Sequence, residues 1–169
     1  MEQILKLLAF IGVIETIVLV IGIVWGFILW TRGVFPALYR LGNGLARRKI
    51  AIFAKTENFN SLNNLLIDSG LFSKSNICHI AKKEDIGACE KSTLYLVYWH
   101  DFSDSLDEIL RKKPDNCPLV VYSPKNQFPI PQDQVEKIDG HRNTALSNFR
   151  GRLLNDIVTS LITTSYERK

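Results

Sequence analysis

The sequence predicts an α/β protein: one N-terminal transmembrane helix followed by a five-stranded, mainly parallel sheet covered by helices. Three observations carry this. An apolar run of about 24 residues, Leu7 to Trp30, holds a single ionisable side chain, Glu15. Beyond Lys49, short apolar runs alternate with amphipathic segments. Glycine, proline, asparagine and serine gather between those runs, where turns belong.

The apolar run comes first. At about 1.5 Å rise per residue it makes about 36 Å of helix, enough to cross about 30 Å of hydrocarbon with some tilt. A cleaved signal peptide would place cations before the run and small residues after it; here the run ends in aromatics and Arg32. A buried soluble helix would be interrupted by more polar residues than Glu15 and Thr16.

Residues 1–31 are therefore the span, 32–49 a basic juxtamembrane linker or interfacial helix, and 50–169 the α/β domain. Arg32, Arg40, Arg47, Arg48 and Lys49 cluster after the run, whereas Met1–Gln3 offer only the terminal amine as a cation. The positive-inside rule then predicts an inner (plasma) membrane protein with its N-terminus out and its C-terminal domain cytoplasmic.

Glu15 lies about one-third of the way into the span. A charge at such depth costs on the order of 3 kcal/mol, so Glu15 enters neutral or faces another helix. Gly22 and Gly26 form a G-x-x-x-G that lets helix backbones approach closely. A one-span chain has no second helix of its own, so the carboxyl and the glycines together predict a homo-oligomer.

In the linker, "GVFPALYRLGNGLARR" mixes apolar residues with Arg40, Arg47 and Arg48, while Gly42 and Gly44 weaken helical continuity. The net charge of +4 arises wholly before Ile50, where six cations face two acids; from Ile50 onward fifteen of each cancel. The surplus therefore points to anionic lipid headgroups, and direct nucleic-acid binding is not expected.

The domain elements follow in order. "KIAIFA" (49–54) reads as a buried strand and "NSLNNLLIDSGLF" (60–72) as a helix stopped by Gly70. "NICHIA" (76–81) is a second strand, "EDIGACEK" (84–91) a short helix, and "STLYLVYWH" (92–100) the third and strongest strand. "SDSLDEILRKK" (103–113) is an amphipathic helix with Ser103 as its cap. "CPLVVYSP" (117–124) is the fourth strand, followed by a proline-rich loop and a short helix at Gln132–Ile138. "HRNTALSNF" (141–149) supplies a fifth strand and "RGRLLNDIVTSLITTSY" (150–166) the last helix. Parallel neighbours require crossover connections, and this alternation most resembles the flavodoxin-like or Rossmann-like arrangement. Ligands in such sheets bind beyond the carboxyl ends of the strands.

Those ends hold the candidate residues. After the first strand, "AKTENFN" lacks the glycine pattern of dinucleotide binders and the P-loop lysine, so no cofactor is expected. After the third come His100 and Asp101, after the fourth Ser123, and after the fifth Ser147, Asn148, Arg150 and Arg152. Asp101 followed one strand later by Ser123 resembles a response-regulator receiver domain, which would make Asp101 a phosphoacceptor and Ser123 the switch hydroxyl. The acidic pair and the lysine that receivers require are missing. Glu108, on the helix after the third strand, is similar in placement to the glutamate with which enzymatic TIR domains cleave NAD. It is a weak catalytic candidate beside an exposed, solvated carboxylate.

"LSNFRGRLLND" resembles the ligand loop of CARF domains, which bind cyclic oligoadenylates in prokaryotic immunity. Helix N-termini attract anions, and arginine there opposes the helix dipole, so an acidic group must compensate: a ligand phosphate, or Asp101, Asp139 or Asp156 within the chain. Ser147, Asn148, Arg150, Arg152, Ser123 and Asp101 are accordingly the predicted site for a cyclic nucleotide or other anionic ligand. One span joined to a small sensor domain also resembles the membrane effectors of prokaryotic defence. A protein partner without any small-molecule ligand is the rival reading. The three histidines share no metal-ligand spacing, and Cys78, Cys89 and Cys117 form no C-x-x-C pair, so they read as small core residues in a reducing compartment.

Overall fold

The computed structural model describes residues 2–88, 91–125, 127 and 129–165; the side chains of 4–9, 37–41, 43–46 and 165 lie outside the description. The chain divides into two compact units, Met1–Asn43 and Gly44–Lys169.

The first unit belongs to one helix, α1, Glu2–Ala46, which carries Pro36 inside it. Residues Phe10–Pro36 are apolar enough to cross a membrane, and their side chains are exposed apart from half-buried Thr31. A 27-residue stretch spans about 40 Å, more than the hydrocarbon core requires. Its hydroxyls are satisfied within the helix: Thr16 donates to the Gly12 carbonyl at 2.8 Å and Thr31 to that of Ile28 at 2.9 Å. Helical backbone continues through Gly42–Gly44, where the sequence suggested a break. Two glycines cost only about 1 kcal/mol each in a helix interior.

The second unit is built on five strands: β1 Ile50–Phe53, β2 Ile77–Ile80, β3 Leu94–Tyr98, β4 Leu119–Tyr122 and β5 Thr144–Ser147. Their order is β2-β1-β3-β4-β5 and every pair is parallel, which is the flavodoxin-like arrangement. The order reverses between β1 and β3, because β2 lies on one side of β1 and β3 to β5 on the other.

Helices α2 (Thr56–Asp68) and α6 (Arg150–Ser165) cover one face, packing Leu62, Leu66, Leu153 and Ile157 against Ile52, Leu96 and Val120. The other face packs Phe53, Tyr95, Val97 and Val121 against Phe102 of α3 (Trp99–Phe102), Leu106 and Ile109 of α4 (Leu106–Lys112), and Ile138 of α5 (Gln132–Asp139). Burial on both faces explains why β1, β3 and β4 read as continuous apolar runs. Gly70 ends α2 in the left-handed region at φ 69°, as a helix stop requires.

Three expectations differ. Among the described residues of the segment 84–91 there is no α-helix: a 3-10 turn, Lys83–Asp85, leads into it and Gly87 follows soon after. The helix α4 starts after a further 3-10 turn, Ser103–Ser105, so Ser103 does not cap it; Ser105 stands at the cap position and makes no side-chain capping bond.

Cysteine supplies the third. Cys117 is free and buried, as a core residue should be, whereas Cys78 is disulfide-bonded, with its partner thiol outside the described residues. Cys78 stands on edge strand β2, and the turn at Gly87 and Ala88 folds back to line the same cavity, which brings this loop within reach of that strand.

Candidate functional site

Strand register builds the site. Tyr98 is the last residue of β3 and Tyr122 the last of β4, and they pair with each other; Tyr122 also pairs with Ser147 at the end of β5. Side chains alternate across a strand, so all three stand in one row on the face covered by α2 and α6. The tyrosine rings meet edge to face at 5.9 Å. The Ser147 hydroxyl is buried without a hydrogen-bond partner among the described residues.

Above this row, Arg150 in the first turn of α6 reaches across to α2. Its Nη1 donates to Ser61 Oγ at 2.8 Å and its Nη2 to the Ser61 carbonyl at 2.9 Å. Tyr98, Tyr122, Asn58, Ser61, Gln127 and Arg150 line a cavity of about 210 Å³ beyond the carboxyl ends of β3 and β4. Burial raises the Tyr98 pKa first, helped by Asp101 and Tyr122; burial also raises that of Tyr122, against the pull of Arg150. Both phenols therefore remain protonated donors at neutral pH. A guanidinium has five N–H donors, of which these bonds use two, so the site couples a fixed cation to several hydroxyls and amides. Such a set of donors can receive an anion.

The predicted residues separate into five places, Ser147 being in the buried row already described. Arg150 enters the cavity. Asp101 does not line it: its Oδ2 accepts from the Lys55 backbone N–H at 2.7 Å and from Asn58 Nδ2 at 2.8 Å. The carboxylate thus ties the end of β3 to the first turn of α2, where it also complements the helix dipole. Arg152 is exposed and turns to Asp156, Nε to Oδ1 3.3 Å, so one of the foreseen internal acids compensates it. Ser123 and Asn148 line a different cavity of about 280 Å³, with Pro129, Ile130, Val135 and Leu146, on the α5 side of the sheet.

Glu108 lies on α4 and pairs with Lys112 one turn later at 2.8 Å. The Lys112 hydrogen bond lowers its pKa, leaving an ionised carboxylate suited to a surface pair and not to proton donation. His79 donates from Nε2 to the Ala54 carbonyl at 2.9 Å and stacks on Phe59 at 3.8 Å, a structural role. Among the described residues no cluster of three His, Cys, Asp or Glu could hold a metal.

In α1, Glu15, Gly22 and Gly26 fall within about 20° of one line along the helix, since each residue advances about 100°. All three are exposed, and a Cβ added at either glycine would meet nothing within 4 Å. The face is open for a neighbouring helix.

Sequence reading missed Tyr98, Tyr122, Asn58, Ser61 and Gln127. A signal existed for the first two, because "LYLVY" and "LVVY" both end on tyrosine at the same phase. No family model, curated protein or solved structure matches the chain.

Proposed function

We propose that this chain is a single-pass membrane protein whose cytoplasmic α/β domain binds a phosphate-bearing small molecule of nucleotide type, and whose apolar helix self-associates in response. The observation that carries the reading is Arg150, fixed by Ser61 over a polar cavity at the carboxyl ends of β3 and β4. Two helix N-termini, those of α2 and α6, converge there, and open strand ends are where such sheets hold ligands.

The orientation rests on the basic flank after the span. Flanking charge acts during insertion, whereas a disulfide at Cys78 reports the compartment that the folded domain meets afterwards. The flank supports the cytoplasmic placement, the Cys78 disulfide weighs against it, and the thiol state in cells tests it.

The direct test is purification of the full chain in detergent from its host, followed by denaturation and mass analysis of any released phosphorylated compound. Arg150→Met and Tyr122→Phe are each expected to lose it. A chain that carries no such compound, or variants that retain it undiminished, would refute the reading.

A further inference from the structure

At the opposite ends of the strands two neighbouring cavities share Lys91 and Ser92 in their walls. The larger, about 440 Å³, adds Lys49, Ser75 and Asn76; the smaller, about 220 Å³, adds Arg48, Thr93 and Asn116. Three cations and a set of hydroxyls and amides thus line one basic surface, and among the described residues neither wall contains a carboxylate; Glu90, next to Lys91 in sequence, lies outside the described residues. Glu84, Asp85 and Asp115 stand in adjoining turns, outside both walls.

Among the described residues, the interior behind this surface adds no negative charge. Cys117, in the smaller wall, is held as the neutral thiol because burial pushes its pKa up to about 12. Lys113 is buried, and its ammonium donates to the carbonyls of Cys117 at 3.0 Å and Arg142 at 3.1 Å. The cations are also anchored at their backbone. Asn76 Nδ2 donates to the Arg48 carbonyl at 2.7 Å, while Thr93 accepts from the Lys49 N–H at 3.0 Å and donates to its carbonyl at 3.1 Å.

In sequence, Arg47, Arg48 and Lys49 follow directly on Ala46, the last residue of α1. A polybasic segment immediately after an apolar span suits anionic lipid. We infer that the paired cavities around Lys49, Lys91 and Arg48 bind the phosphate of an anionic phospholipid headgroup. Hydroxyls of Ser75, Ser92 and Thr93 suit the glycerol and phosphodiester oxygens beside it. This inference rests on the reading that α1 lies in the bilayer, but the two fail separately: membrane extraction tests the span, lipid selectivity the cavities.

The experiment is native mass spectrometry of the full chain released from micelles, titrated with phosphatidylglycerol or phosphatidylcholine. Wild type should retain phosphatidylglycerol in preference. Each cation near an anionic surface contributes about a fivefold factor, so Lys49→Gln with Lys91→Gln should weaken that retention about 25-fold and leave phosphatidylcholine unchanged. The control pair Lys55→Gln with Lys125→Gln removes the same charge at the carboxyl ends of the strands and should leave retention intact. Should the double variant be unstable, Lys91→Gln alone, at an exposed position outside the strands, should still lose about fivefold. Equal retention of the two lipids by wild type, or equal loss in the control pair, would overturn the inference. Displacement of the lipid by millimolar inorganic phosphate at constant ionic strength would overturn it in favour of a soluble anion.

Discussion

Replacing Asp101 by alanine should destabilise the α/β domain and release Asn58, a residue of the cavity wall, from its anchor. The side chain accepts two hydrogen bonds on one carboxylate oxygen, from Lys55 N–H and from Asn58 Nδ2. Hydrogen bonds to a charged acceptor contribute about 1.5–3 kcal/mol each when well shielded. Asp101 is only half-buried and the bond to Lys55 is exposed, so the lower end applies and the pair is worth about 2–3 kcal/mol. For a domain of about 120 residues, 1 kcal/mol moves Tm by about 4 °C, which predicts a fall of about 8–12 °C for Asp101→Ala. An asparagine at this position would keep a neutral acceptor, so Asp101→Asn should fall by about half as much. Thermal unfolding of the detergent-solubilised chain, followed through buried Trp99, measures this against wild type. If Asp101→Ala melts within about 2 °C of wild type, well short of that predicted fall, the carboxylate is not an anchor of this domain.

Three further outcomes are expected. Glu15→Leu combined with Gly22→Leu should abolish cross-linked oligomers of the full chain in membranes, because both positions lie on one open face of α1; unchanged cross-linking would remove the helix from the assembly. Native Cys117 should react with iodoacetamide at pH 8 about 1,000-fold more slowly than an unfolded thiol, since its pKa stands at about 12 against 9.0; the stability this raised pKa gives is complete below pH 9 and is lost as pH rises toward 12. Because Cys78 is disulfide-bonded in the structure, acid-quenched alkylation of intact cells tests the proposed cytoplasmic placement: that placement predicts Cys78 reduced to the thiol in cells, and a disulfide that persists there would place the domain on the oxidising side.

Much of the fold was legible because it rests on local patterns. β1, β3 and β4 are buried on both faces and read as short continuous apolar runs, and Gly70 marked its helix end through a backbone angle that few other residues adopt. The segment 84–91 misled because charge and a few apolar residues resemble an amphipathic helix, whereas Ile86 reaches the core from a turn that follows the 3-10 turn Lys83–Asp85. The site was less legible. Arg150 and Asp101 could be picked out by type and position, but which partner each takes depends on groups more than forty residues away: Ser61 for one, the Lys55 backbone N–H and the Asn58 side chain for the other. Chain order alone does not reveal that α2 and α6 share a face, and that sharing is what turns Arg150 inward while Arg152, two residues on and about 200° around the helix, faces Asp156 and solvent.

The account stands on α1 lying in lipid. Its most direct measurement is alkaline carbonate extraction of membranes from cells expressing the full chain, followed by sedimentation and detergent release. The chain should stay in the pellet through the carbonate wash and enter solution only with detergent. Recovery in the carbonate supernatant, without detergent, would contradict it.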